Sequence, residues 1–297
     1  VGAVWALIWS ILFKCLESLP QPRFTSPRPD VYSSRHGKGF VDDTTLWEVG
    51  PNASTQTVVT RMTTKAQRWE RLIWSSGGAL NLDKCYVYLL EWTYSKTGIA
   101  RLKPLKDMPY DVSLTAGNSP APPVPIRTVE PHQGTRTLGV RLAPDGNDHD
   151  EYTFRLTQAQ ALKHRLSSAH LTREQANIGF QSLWRPAIGY PLPITSFTPK
   201  HCQKIQSQYM PQFSAQMGLN RHTPNAIKYG PLRYGGMNLP SIWAEQGAGH
   251  VKLALSHLRK NDDVGKLLSI TLDGLQLHAG VPWPILSRQG TAQRAYI

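Results

Sequence analysis

Cysteine is scarce: Cys15, Cys85 and Cys202 are the only three in 297 residues, far apart and without a C-x-x-C pair. That excludes a disulfide framework and a thiolate zinc site, and it suits a reducing intracellular compartment, cytoplasm or nucleus. Acidic residues are scarce in one half. Residues 151–297 carry 16 Lys and Arg against 6 Asp and Glu, whereas residues 1–150 carry 17 against 14. Between 151 and 260 only Glu151, Glu174 and Glu245 are acidic. So basic a half-chain points to a polyanionic partner, of which nucleic acid is the usual one. Long hydrophobic runs are also missing. The apolar opening, V-G-A-V-W-A-L-I-W-S-I-L-F, ends at Lys14, short of the roughly 20 residues that span a bilayer. It has neither the basic leader nor the small-residue cleavage site of a signal peptide, so a buried helix is expected. A start at Val1, inside that run, suggests a piece of a longer protein. There is no Ser-His-Asp arrangement, no nuclease motif and no phosphate-cradling glycine loop. The histidines lack companions at metal-ligand spacing, and Asp148-His149-Asp150 reads as a solvated loop.

What is present is the composition of a folded chain, 40% hydrophobic with nine Trp. After the opening helix (about 3–19) a Pro-rich connection leads to strands at Val31–Ser34 and Gly39–Trp47. Ser54 is placed to cap a long helix with Val58, Met62, Trp69, Leu72 and Ile73 on one face, stopping at Gly77–Gly78. Strand-like runs follow at Cys85–Tyr94, Gly98–Leu102, Asp111–Thr115 and Thr137–Leu142. Beyond residue 150 the pattern turns helical. Thr172 with Gln175 makes a capping box before Phe180, Leu183 and Trp184. Thr198-Pro199 starts a helix carrying Cys202, Ile205, Tyr209, Phe213 and Met217. Ser241 opens another with Val251, Leu255 and Leu258 on one face, and Asp262-Asp263 precede a last one. The expected class is α+β, with a mixed part over 1–146 and a basic α-helical part over 147–297.

The stretch G-K-G-F-V-D-D-T-T-L-W (37–47) sets two adjacent carboxylates, Asp42 and Asp43, between strand-forming residues. Asp is a common turn residue, so a plain hairpin tip is one explanation. A bound cation that offsets their repulsion is the other. Three further motifs follow in order: Gly78, Leu80, Asn81 and Lys84; Leu138-Gly139-Val140; and Tyr-Gly-Gly-Met-Asn-Leu at 234–239. With Phe40-Val41-Asp42-Asp43 they resemble reverse transcriptases of the non-LTR retrotransposon type, closely over 37–85 and 136–146 and more loosely beyond.

The resemblance implies a partial polymerase palm, an antiparallel sheet bearing the Asp-Asp hairpin with packed helices, followed by an α-helical thumb. It implies an RNA-directed DNA polymerase, with an RNA template, a DNA primer and dNTP as partners and no membrane. Asp42 and Asp43 would be the Mg²⁺ ligands of a two-metal centre, Asp42 the principal one. Lys84 would donate a proton to departing pyrophosphate; alternatively it is an ordinary surface lysine beside Asp83. Leu138 and Gly139 would approach the primer backbone, or else form a simple strand with a Gly. In the basic half Lys163, Arg165, Arg173, Arg185, Lys200 and Lys204 are candidate phosphate contacts. Trp184, Tyr209, Tyr229 and Tyr234, interleaved with them, are expected mainly in the core.

The sequence departs from that pattern in one respect. Such enzymes use a further aspartate from an earlier strand, and no strand before Gly37 carries one here. The parent would be a polymerase and this chain, alone, inactive or nearly so. A retroelement remnant that only binds nucleic acid is the rival reading. Another palm-type cyclase or polymerase is a third, disfavoured by the Leu-Asn-x-x-Lys motif and the helical half.

Overall fold

A computed structural model describes residues 2–28, 30–40, 43–50, 52–117, 121–220 and 222–287, with side chains from Leu7 onward. The chain divides into two compact units, Val1–Pro131 with His257–Ile297, and His132–Ser256. The sequence had suggested a boundary at 146/147. The first division falls earlier because the strands around Leu138 are built onto the helix that follows them.

The first unit opens with α1 (Gly2–Leu16), where the apolar run predicted a helix. A short antiparallel ribbon, β1 (Arg23–Thr25) with β2 (Tyr32–Ser34), precedes the hairpin of β3 (Gly37–Phe40) and β4 (Asp43–Leu46). Next comes α2 (Thr55–Ser75), capped by Ser54 accepting from the Thr57 N–H at 3.2 Å. Its buried residues are Val59, Lys65, Trp69 and Glu70. Of the expected apolar face, Trp69 is fully buried, while Val58, Met62, Leu72 and Ile73 lie at its margin.

The predicted strand at 85–94 is two pieces, β5 (Tyr86–Tyr88) and β6 (Trp92–Tyr94). The second pairs with β7 (Ala100–Leu102), whereas β8 (Ser113–Leu114) pairs with β9 (Val124–Pro125). β10 (Arg127–Val129) runs parallel to β5. Val59, Val87, Leu89, Met108, Val112, Leu114 and Ile126 form one core cluster. Among the described residues every sheet has two strands. The architecture is mixed α and β with small, mostly antiparallel ribbons, in keeping with α+β; a larger antiparallel sheet does not form among these residues.

The second unit starts with the hairpin β11 (Thr135–Thr137) and β12 (Val140–Leu142). The predicted strand 137–142 is therefore interrupted: Leu138 and Gly139 are its turn, with φ of 49° and 86°. α3 (His149–Ser168) follows. Asp148, His149 and Asp150, expected as a solvated loop, are instead the cap position and first turn of this helix. Asp148 accepts the Ser196 N–H at 2.5 Å, and burial lifts its carboxyl above the usual range.

α4 (Arg173–Gly179), entered through the expected capping box, widens into a π-helical segment at Phe180–Trp184 and resumes as α5 (Arg185–Gly189). Pro186 accounts for the irregularity, since it has no N–H for the carbonyl four residues back. α6 (Pro199–Gln206) and α7 (Met210–Gln216) split what the sequence suggested as one helix. α8 (Asn225–Tyr229) is short, and the unit ends at Ser256, within α9 (Ile242–Lys260). Phe180, Trp184, Ile188, Phe197, Ile205, Tyr209 and Phe213 fill the core, with Phe180 stacked on Phe213 at 4.2 Å between centroids. On α9 the expected Val251 and Leu255 are exposed, and Ile242 and Gln246 are the buried positions. Gln246 is drawn inside because its amide satisfies the Phe197 backbone in both directions.

α10 (Asp263–Ala279) belongs to the first unit. Asp262 caps it, accepting from the Gly265 N–H at 2.9 Å. Asp273 fastens it to the β1–β2 ribbon through Ser26 (2.7 Å) and Arg28 (3.2 Å), and Arg35 pairs with Asp263. No described helix is long and apolar enough to cross a membrane.

Candidate functional site

The acid hairpin of the first unit closes with Phe40 opposite Asp43. Its two intervening residues, Val41 and Asp42, lie outside the described set. Asp43 is exposed and has no ion-pair partner among the described residues. The ribbon behind it is seated on aromatic rings. A Cβ on Gly39 would stand 3.1 Å from the Trp9 indole and 3.4 Å from the Phe13 ring, so glycine lets β3 lie flat on α1. Trp9 stacks on Trp69 of α2 at 5.1 Å with planes 7° apart, and Phe13 lies 4.9 Å from Trp69. Behind β4, the side chains of Glu48 and Lys65 form an ion pair screened from solvent, and the Lys65 ammonium also donates to the Trp47 carbonyl at 2.9 Å. His36, just before β3, is 4% exposed, and neither ring nitrogen has a hydrogen-bond partner among the described residues. Burial first, and the nearby Lys65 second, hold its pKa below the ordinary value.

Lys84 ends a short 3-10 turn, Leu82–Lys84, that leads into β5. Its side chain is exposed and free of ion pairs among the described residues. Leu46, three residues after Asp43, and Leu80, four before Lys84, pack on the same cluster of Trp9, Leu12, Leu16 and Trp69. The bases of the two motifs thus share one floor.

In donor type the exposed Asp43 carboxylate fits a hard cation such as Mg²⁺. Among the described residues no group of three or more His, Cys, Asp or Glu is placed to hold a metal ion.

In the second unit the Leu138-Gly139 turn is the most tightly specified backbone. With Thr137 paired to Val140, it is a two-residue hairpin having positive φ at both central positions, the geometry usually filled by Asn-Gly. Leucine there is uncommon and costs roughly 1–2 kcal/mol. Its side chain stays 45% exposed, so burial does not repay the strain. Three side chains hold the turn. The Tyr190 hydroxyl donates to the Leu138 carbonyl at 2.7 Å, and Arg155 donates to the Gly139 carbonyl at 2.9 Å. Glu151 accepts the Arg141 N–H at 2.7 Å and binds Arg155 at 2.5 Å, both side chains being at most 5% exposed. Arg155 reaches further to the Ala187 carbonyl and Gln158, each at 2.8 Å.

Glu151, Arg155 and Tyr190 were not singled out in the sequence. The signal available was the i, i+4 spacing of Glu151 and Arg155.

The candidate phosphate contacts Lys163, Arg165, Arg173, Lys200 and Lys204 are exposed and unpaired among the described residues. Arg185 differs, since its guanidinium is taken by Glu245 (2.6 and 2.9 Å) and Gln181 (3.1 Å). Trp184 and Tyr209 are core residues and Tyr229 packs against that core, but Tyr234 is 74% exposed beneath the Arg233 guanidinium. No protein-family model, no curated protein and no solved structure matches the chain.

Proposed function

We propose that the chain carries the catalytic hairpin and thumb of an RNA-directed DNA polymerase of the non-LTR retrotransposon type. The observation that carries this reading is the closure of β3 on β4 with Phe40 opposite Asp43, which sets the Asp43 carboxylate at the end of a ribbon seated on stacked indoles. Magnesium bound by Asp42 and Asp43 would supply positive charge toward the primer hydroxyl and the nucleotide triphosphate. Lys84, exposed and without an ion pair among the described residues, would meet the departing pyrophosphate. The Leu138-Gly139 turn, strained and bolted to α3, presents a rigid edge to a primer strand. Exposed cations of the second unit hold RNA–DNA duplex by its phosphates.

Binding of a labelled dNTP to protein, primer–template and Mg²⁺ tests the reading. Ternary-complex formation should be lost in Asp42→Asn with Asp43→Asn, while duplex binding persists. Primer extension by this chain should be absent or very weak, because among the described residues no strand before Gly37 supplies the third carboxylate. If dNTP retention is unchanged in the double variant, the acids are not metal ligands. The chain is then a binder of nucleic acid only, through the exposed cations of the second unit.

A further inference from the structure

Arg136 and Arg141 stand directly opposite each other across the β11–β12 ladder. Opposite residues of an antiparallel pair share a face with Cβ atoms about 4.5–5.5 Å apart, and like charges there are destabilising. No described ion pair relieves this pair. Among the described residues neither guanidinium has an ion-pair partner, and no acidic residue occurs from 131 to 144. Nor is the register free to shift. Val140 on the companion face is 2% exposed, so a slip by one residue would drive the arginines into the core.

Arg141 is held in place. Its guanidinium lies 3.7 Å over the Phe154 ring and lines a cleft of about 360 Å³ with Gly134, Asp150, Thr153 and Thr157. The one carboxylate of the cleft, Asp150, is engaged by the Gly134 N–H at 2.6 Å. Thr157 gives its hydroxyl proton to the Thr153 carbonyl. A ribbon selected for stability alone would set an acid or a threonine across from an arginine. Two arginines at such a pair are instead suited to an anion that bridges them.

We propose that the Arg136–Arg141 face is a phosphodiester site, where the two guanidiniums share one backbone phosphate of a nucleic acid on the ribbon that ends in the Leu138-Gly139 turn. This deepens the nucleic-acid reading given above and rests on it. The contact positions the strand without reading its sequence, since phosphates carry no base information.

Fluorescence anisotropy of the full chain with a labelled RNA–DNA hybrid duplex, over a range of salt concentrations, tests it. Arg136→Gln with Arg141→Gln should weaken binding about tenfold or more at low salt and flatten the dependence of log affinity on log salt by about 1, the share of the single phosphate released. The charge-matched pair Lys96→Gln with Arg101→Gln, both exposed at the β6–β7 hairpin of the first unit, should change that slope little. A double variant no weaker than this control overturns the arginine site and leaves the nucleic-acid reading standing. Failure of the unaltered chain to bind duplex at low salt overturns both. Thermal melting provides a second readout. Arg136→Gln should raise Tm, because it removes repulsion and no hydrogen bond; a lowered Tm would assign Arg136 a structural role and sink the proposal.

Discussion

The β3–β4 ribbon rests on indole rings, whereas the β11–β12 ribbon is tied by charge. In the first, Gly39 lies on Trp9 and the stack continues to Trp69. Non-directional packing of this kind fixes where the ribbon lies and leaves the Asp43 carboxylate exposed at its end. In the second, Glu151 and Arg155 grip the backbone of the turn itself, one carboxylate oxygen on the Arg141 N–H and one guanidinium nitrogen on the Gly139 carbonyl. Directional bonds of this kind fix conformation to within a fraction of an ångström, enough to hold a leucine at positive φ. Position is specified in one ribbon and conformation in the other.

The largest way to break this contrast is Arg155→Ala. It leaves Glu151 buried and uncompensated, and unfolding by urea should show a loss of about 3–5 kcal/mol. Gly39→Val tests the other ribbon. A side chain against the Trp9 ring should cost about 1–3 kcal/mol by overpacking, read as a lower urea midpoint with unchanged slope. If Gly39→Val proves neutral, the indole floor is not what seats the hairpin.

Leu138→Asn sharpens the comparison in the opposite direction. Asparagine tolerates the left-handed region, so stability should rise by up to about 1 kcal/mol while duplex affinity falls. A gain in stability with no loss of binding would mean that the exposed leucine has no ligand.

The smallest expected effect is a pH dependence. His36 has a depressed pKa in the folded chain, so above about pH 6.5 it is neutral folded or unfolded and stability is complete. As pH falls below that value the unfolded chain takes up the proton first, and stability declines toward the folded pKa. Lys65 opposes a charged ring, and Glu48 and Glu17 favour it. Tm should therefore drop between about pH 7.5 and about pH 5.5, with a shallower drop in His36→Gln; equal drops would remove His36 from the account.

Thiol labelling separates the cysteines by the same logic. Burial pushes the Cys202 thiol up to about 11, so the exposed Cys15 should react at neutral pH and Cys202 should not.

Much of the element order was legible in the sequence because it depends on local pattern. Ser54, the Thr172-Gln175 box and Asp262 each cap a helix as their spacing suggested. The acid hairpin was visible because its turn sits between two β-prone runs. The Leu-Gly turn was not, since Thr137–Leu142 alternates like one strand and leucine does not announce a turn. Its conformation becomes tolerable only through Tyr190 and Arg155, 52 and 16 residues away from the carbonyls they bind. Likewise Val251 and Leu255 carry helical periodicity, yet periodicity cannot say which face of α9 finds a neighbour.

By itself the sequence determined where helices start, where the acids fall at a bend, and that the basic charge gathers in the second half. These follow from residue chemistry within a few positions along the chain. Only the tertiary structure decided that Lys65, Glu151 and Arg155 lie buried as ion-pair partners, and that Arg136 meets Arg141 across a ribbon. Burial and pairing are set by groups distant in sequence, and a charge becomes costly or useful only once its surroundings are known.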